Sequence, residues 1–278
     1  MLGKTLKYEL QATGRLFLPC FAGLLGLSLL CRLFWGLDDG FSSSVAPLRI
    51  LTLVLTALLV LMFTASVVVA VMAILSRFYK NLLSNEGYLM HALPVHPWQH
   101  VLAKLLSSLI WVILSFVVAA ICGLILTSLV PGFFQSLVHL IPEFWEAAEL
   151  VWQQYGGHSI AITVLAILAI LLVGACTILQ FYTAMSFGQR ANSHKVLASV
   201  GVYILISIIL QVGLAIFGTG LMDLDFMYHL AHATHDAQSV VLNTTYVLLG
   251  TTVAVAAVID ALLFWLTTRN LSRHLNLQ

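Results

Sequence analysis

Six runs of this chain, residues 16–37, 50–75, 105–130, 159–187, 196–218 and 242–267, are apolar and long enough to cross a bilayer. A helix rises about 1.5 Å per residue, so roughly 20 residues span a hydrocarbon core about 30 Å thick. Backbone amides find no water at that depth, and bundled helices are the fold that satisfies them within such runs. The expected fold class is therefore an all-α membrane protein with six transmembrane helices. Composition agrees: 61% of residues are hydrophobic and only 8% charged, against about 25% charged in an ordinary soluble domain. The spans consume most of the 278 residues and leave one transmembrane domain.

Basic residues set the expected orientation. Lys4, Lys7 and Arg15 precede the first run, and Arg77, Lys80 and Lys104 lie around the second gap. Arg190 and Lys195 fill the fourth gap, and Arg269 and Arg273 follow the last run. These ten are most of the 12 Lys and Arg, leaving only Arg32 and Arg49 toward the other side. The positive-inside rule then puts both termini in the cytoplasm of a cell-membrane protein. A net charge of +1 gives no reason to expect a nucleic-acid partner.

Residues 1–15 carry Leu2, Leu6 and Leu10 at helical spacing beside Lys4 and Lys7, the pattern of a short amphipathic helix lying in the headgroup layer. The first run lacks a clean small-residue cleavage site and is read as an uncleaved span. Gly3-Lys4-Thr5 lacks the upstream strand and glycine of a phosphate-binding loop. Cys20, Cys31, Cys122 and Cys176 all fall inside spans, where thiols act as small apolar packing groups.

The segment 78–98 between the second and third runs is where sequence points to function. Leu82, Leu83, Leu89, Met90 and Leu93 are too apolar for a free loop. Pro94 and Pro97 end one helical piece and allow another to start near Trp98. A short helix with apolar anchors and one carboxylate suits a partner's groove, and equally a connector packed on its own bundle.

Glu86-Gly87-Tyr88-Leu89, then Leu93-Pro94-Val95, then Lys104 at the head of the third run, resemble the inner loop of ABC-2 type transporter permeases. Lys7-Tyr8-Glu9-Leu10 resembles the opening of a subgroup from Gram-positive bacteria, although Tyr88 stands where the broader family often has Thr. In that family the loop is a coupling helix seated in a separate nucleotide-binding subunit. The resemblance implies that Glu86, Gly87, Tyr88, Leu89, Leu93 and Pro94 make that contact. It also implies a second permease subunit, identical or not, and ABC ATPase partners that carry the ATP and Mg, with no cofactor in this chain. Export of a peptide, lipid-like or drug-like molecule is the family's usual task.

Two outer segments are longer than simple turns. In 131–157, Pro142 is expected in a first helical turn, with Glu143, Glu146 and Glu149 on one face and Phe144, Trp145, Ala148 and Trp152 on another. Gly156-Gly157 should stop this helix, which is expected to pack over the outer mouth of the bundle. In 219–241, His229, His232 and His235 near Asp223, Asp225 and Asp236 match no metal-site geometry and are read as a wet polar face. The segment 188–195 reads as a polar turn.

Asp260 is the one acid deep inside a span, about 10 Å from that run's inner end. A charge there needs a partner or a cavity, and Gln180 and Gln211 are the neutral candidates. The three together are the candidate polar residues of a translocation path; interhelical hydrogen bonding is the structural alternative. Asp260 is also the one feature favouring an ion-gradient-driven secondary transporter. Inverted repeats and broken mid-membrane helices are not evident. No His-Glu-x-x-His and no Gly-x-Ser-x-Gly within a span suggests an intramembrane enzyme. A non-transporting sensor or immunity subunit remains a third reading.

Overall fold

The computed structural model describes residues 2–40, 46–83, 96–128, 132–191, 194–221 and 237–273. Among them every regular element is helical. In chain order these are α1 (Leu2–Gly40), α2 (Ala46–Phe78), α3 (Pro97–Thr127), α4 (Phe133–Tyr155), α5 (Gly157–Gly188), α6 (Lys195–Leu221) and α7 (Ala237–Arg273). A π-helical turn, Tyr79–Leu83, carries α2 onward without a break. Six helical stretches, drawn from all but α4, are long and apolar enough to cross a membrane. Large side chains such as Leu53, Leu61, Ile170 and Ile216 stand exposed on them. Water would not tolerate so much open apolar surface; hydrocarbon does. The chain is a multi-pass membrane protein.

The helices overrun the apolar runs. α3 begins at Pro97, eight residues ahead of the expected 105, and α7 extends to Arg273 rather than 267. Hydropathy detects only the stretch immersed in hydrocarbon, whereas backbone hydrogen bonding continues through the headgroup layer. The same reason removes the separate interfacial helix expected over residues 1–15. Residues 2–15 are the opening turns of α1, which at 39 residues is about 58 Å long. Pro19 lies inside it and deprives the Arg15 carbonyl of its helical donor.

Two compact units divide the chain: Met1–Arg77 with Leu106–Val151, and Phe78–Leu105 with Trp152–Gln278. In the first unit, Phe17, Phe21 and Leu24 of α1 pack with Trp111, Val118 and Cys122 of α3. The Phe17 and Trp111 rings are stacked, with centroids 4.7 Å apart. The indole N–H of Trp111 donates to Thr13 Oγ1 at 2.6 Å, which lets a polar atom sit inside an apolar cluster. Toward the other end, Leu27 and Cys31 of α1 meet Leu59 of α2. Arg32 donates to Ser128 Oγ, so this in-span cation is hydrogen-bonded near the end of α3.

In the second unit, α5 packs against both α6 and α7. The buried residues of α5 include Ala175, Ile178, Leu179, Tyr182, Thr183 and Ser186. Those of α7 are Ala256, Asp260, Leu263, Thr267, Asn270 and Leu271. Both lists follow the three-and-four spacing that places residues on one helical face. Small side chains on these stripes allow close approach, which drives helix association where lipid supplies no hydrophobic effect.

The expectation for α4 needs correcting. It starts at Phe133, so Pro142 is an interior residue rather than part of the first turn. The helix runs unbroken through the proline from Phe133 to Tyr155. Gly156 (φ +52°) does end it, in the left-handed region that favours glycine. On its apolar face Phe144 is 73% exposed, and the neighbouring Trp145 72%.

Candidate functional site

Glu86, Gly87, Tyr88, Leu89, Leu93 and Pro94 lie outside the described residues, as do His229, His232 and His235. Both flanks of the segment between α2 and α3 are described, and both belong to the second unit. On the entry side, the Phe78 ring stacks on Tyr182 of α5 with centroids 4.0 Å apart and planes 10° apart. Leu82 and Leu83 of the π-helical turn are buried. On the exit side, Val101, Ala103 and Lys104 in the opening turns of α3 are buried as well. The segment thus leaves and rejoins one packed body through rigid, apolar-anchored turns.

Within the membrane, Asp260 of α7 is 9% exposed. Neither carboxylate oxygen has a hydrogen-bond partner among the described residues. The Cys176 thiol of α5 lies beside it without hydrogen-bond geometry. Gln180, one turn on, donates to Cys176 Sγ at 3.5 Å and lines the same neighbourhood at one remove. Gln211 is exposed on α6. So α5 and α7 bring Gln180 and Asp260 to one locality, with the sulfur between them, while Gln211 faces outward.

Toward the next turns of α7, the α5–α7 contact becomes a polar seam that the sequence reading missed. The Thr183 and Thr267 hydroxyls meet at 2.9 Å. One turn on, the Asn270 amide donates to the Ser186 carbonyl at 2.5 Å and accepts from Arg190 Nε at 2.8 Å. The signal was legible: Thr183/Ser186 and Thr267/Asn270 are matching pairs spaced by three. Each such hydrogen bond contributes about 0.6 kcal/mol on average in a membrane. The larger effect is to fix the register of the two helices.

The turn that follows α5 is polar, as expected. Gly188 is needed there because a Cβ would fall 2.7 Å from the Ser199 backbone. His194 (φ +56°) then leads into α6. No group of three or more metal-ligating side chains exists among the described residues. No family model, curated protein or solved structure matches the chain.

Proposed function

We propose that this chain is the permease subunit of an ATP-binding cassette exporter of the ABC-2 type. Both termini are in the cytoplasm, and two permease subunits work with separate ATPase subunits that bind ATP and Mg. The observation that carries the reading is the sequence Glu86-Gly87-Tyr88-Leu89 followed by Leu93-Pro94, set between turns buried in one unit. A lever transmits force only if its ends are rigid. Phe78, Leu82 and Leu83 on one side and Val101 on the other give it that, so closure of the ATPases moves the second unit. Packed helices then switch between discrete arrangements instead of deforming smoothly.

Asp260 favours one rival, an ion-gradient-driven transporter, because an orphan carboxylate in a membrane interior is the residue such proteins use for protons or cations. Efflux from cells separates the two. The ABC reading expects vanadate to stop efflux and an uncoupler to leave its initial rate unchanged. Glu86→Ala and Pro94→Leu are expected to abolish efflux with membrane insertion intact. Loss of efflux with the uncoupler alone, or wild-type efflux in both variants, would overturn it.

A further inference from the structure

A groove of about 500 Å³ opens in the second unit where the start of α3 meets the last turns of α7. Its walls include His96 and Trp98 from α3 and its approach, and Trp265, Thr268, Arg269 and Ser272 from α7. Two features set it apart from the lipid-facing surface elsewhere. Trp98 and Trp265 are 44% and 50% exposed, one from each helix. The groove also holds a cation with no acidic partner: the Arg269 guanidinium makes no ion pair or hydrogen bond among the described residues. Its guanidinium instead lies over the Trp265 ring, 4.8 Å from the centroid.

The chemistry of the walls narrows the ligand. Thr268 and Ser272 donate their hydroxyl protons to carbonyls of their own helix, at 2.9 Å each. The side-chain donors left for an incoming group are therefore the Arg269 guanidinium, the His96 ring and the indole N–H groups of Trp98 and Trp265, of which only the guanidinium carries a fixed charge. A guanidinium fork matches phosphate oxygens in a bidentate manner, and the cation–π contact with Trp265 keeps the fork beside that ring. Indole faces prefer the depth of lipid headgroups and their first methylenes. An anion with an attached apolar tail satisfies the whole groove, whereas a soluble anion leaves the tryptophans unused.

We propose that this groove binds the phosphate headgroup of an anionic phospholipid, with Arg269 on the phosphate and Trp98 and Trp265 flanking the glycerol and upper acyl chains. The groove lies at the ends of α3 and α7 that carry the basic residues, which the orientation proposed above places in the cytoplasmic leaflet. Basic pockets between membrane helices on that side are where anionic headgroups bind. Because the groove borders the end of the coupling segment, a bound lipid would fill the wall beside it. The lipid site itself does not require the ABC reading.

The test uses the full chain, purified in detergent and stripped of lipid, with bound lipid counted by intact-complex mass spectrometry. Phosphatidylglycerol is expected to be retained at least 5-fold more than phosphatidylcholine, and Arg269→Gln to remove that preference. Arg269→Lys is expected to retain part of it, and Trp98→Ala to weaken retention of both lipids. Helical content by circular dichroism, unchanged in the variants, guards against misfolding. Equal retention of the two lipids by wild-type protein, or undiminished preference in Arg269→Gln, would overturn the proposal. Thermal stabilisation by inorganic phosphate as large as that by phosphatidylglycerol, and lost in Arg269→Gln, would overturn it in favour of a soluble anion.

Discussion

The Phe78 ring lies parallel to the Tyr182 ring, 4.0 Å away, and this contact ties the end of α2 to the middle helix of the second unit. Both side chains are among the most completely buried of the described residues. Phe78 also stands a few residues before Glu86, so it holds the entry to the segment on which the functional proposal depends. Phe78→Leu keeps an apolar side chain and removes the stack, which should cost about 1 kcal/mol. A lowered thermal midpoint is expected, with efflux reduced more than insertion. Efflux unchanged at the lower midpoint would show that the anchor serves stability alone.

Gly188 is a sharper case. A methyl group there collides with the Ser199 hydroxyl, which can rotate away, and also with the Ser199 backbone, which cannot. The α5–α6 turn has to open to admit it. Gly188→Ala should therefore destabilise by roughly 1–3 kcal/mol, the range for overpacking at a close contact. Gly201→Ala on α6, where a Cβ meets nothing, is the matched control and should leave the midpoint in place. Fluorescence-detected thermal unfolding in detergent compares the two directly.

Asp260 leads to an expectation in the opposite direction. Its carboxylate is buried with no partner among the described residues, an arrangement that costs stability. Asp260→Asn should raise the thermal midpoint, and Asp260→Leu should raise it further. A lowered midpoint in both would reveal a partner that the carboxylate does have. Efflux measured in the same variants tells whether the chain retains the acid for transport. Loss of efflux together with gained stability is the signature of a functional group.

Hydropathy alone located all six crossings, because hydrocarbon imposes a length and a composition that no tertiary detail overrides. What it missed lies where that constraint ends. The start of α4 at Phe133 was hidden by Pro142, which reads as a helix opener although it lies inside the helix. The buried face of α7 carries Asp260, Leu263, Thr267 and Asn270 at regular spacing. In a mostly apolar helix, the sequence marks such a face only by its polar members, Asp260, Thr267 and Asn270. The groove at Trp98 and Trp265 joins residues more than 160 positions apart, and no local pattern pairs them. Gln211 carries the same side chain as Gln180, yet packing decides that only one of the two comes near Asp260.

The most direct test of the central claim is covalent. A photo-crosslinking residue placed at Leu89, in the chain expressed in its native host, should give a crosslinked product containing a nucleotide-hydrolysing subunit. The same subunit should copurify with the unmodified chain and hydrolyse ATP. If position 89 instead crosslinks only within this chain, and no nucleotide hydrolase accompanies the purified protein, the segment between α2 and α3 is a connector and the permease assignment fails.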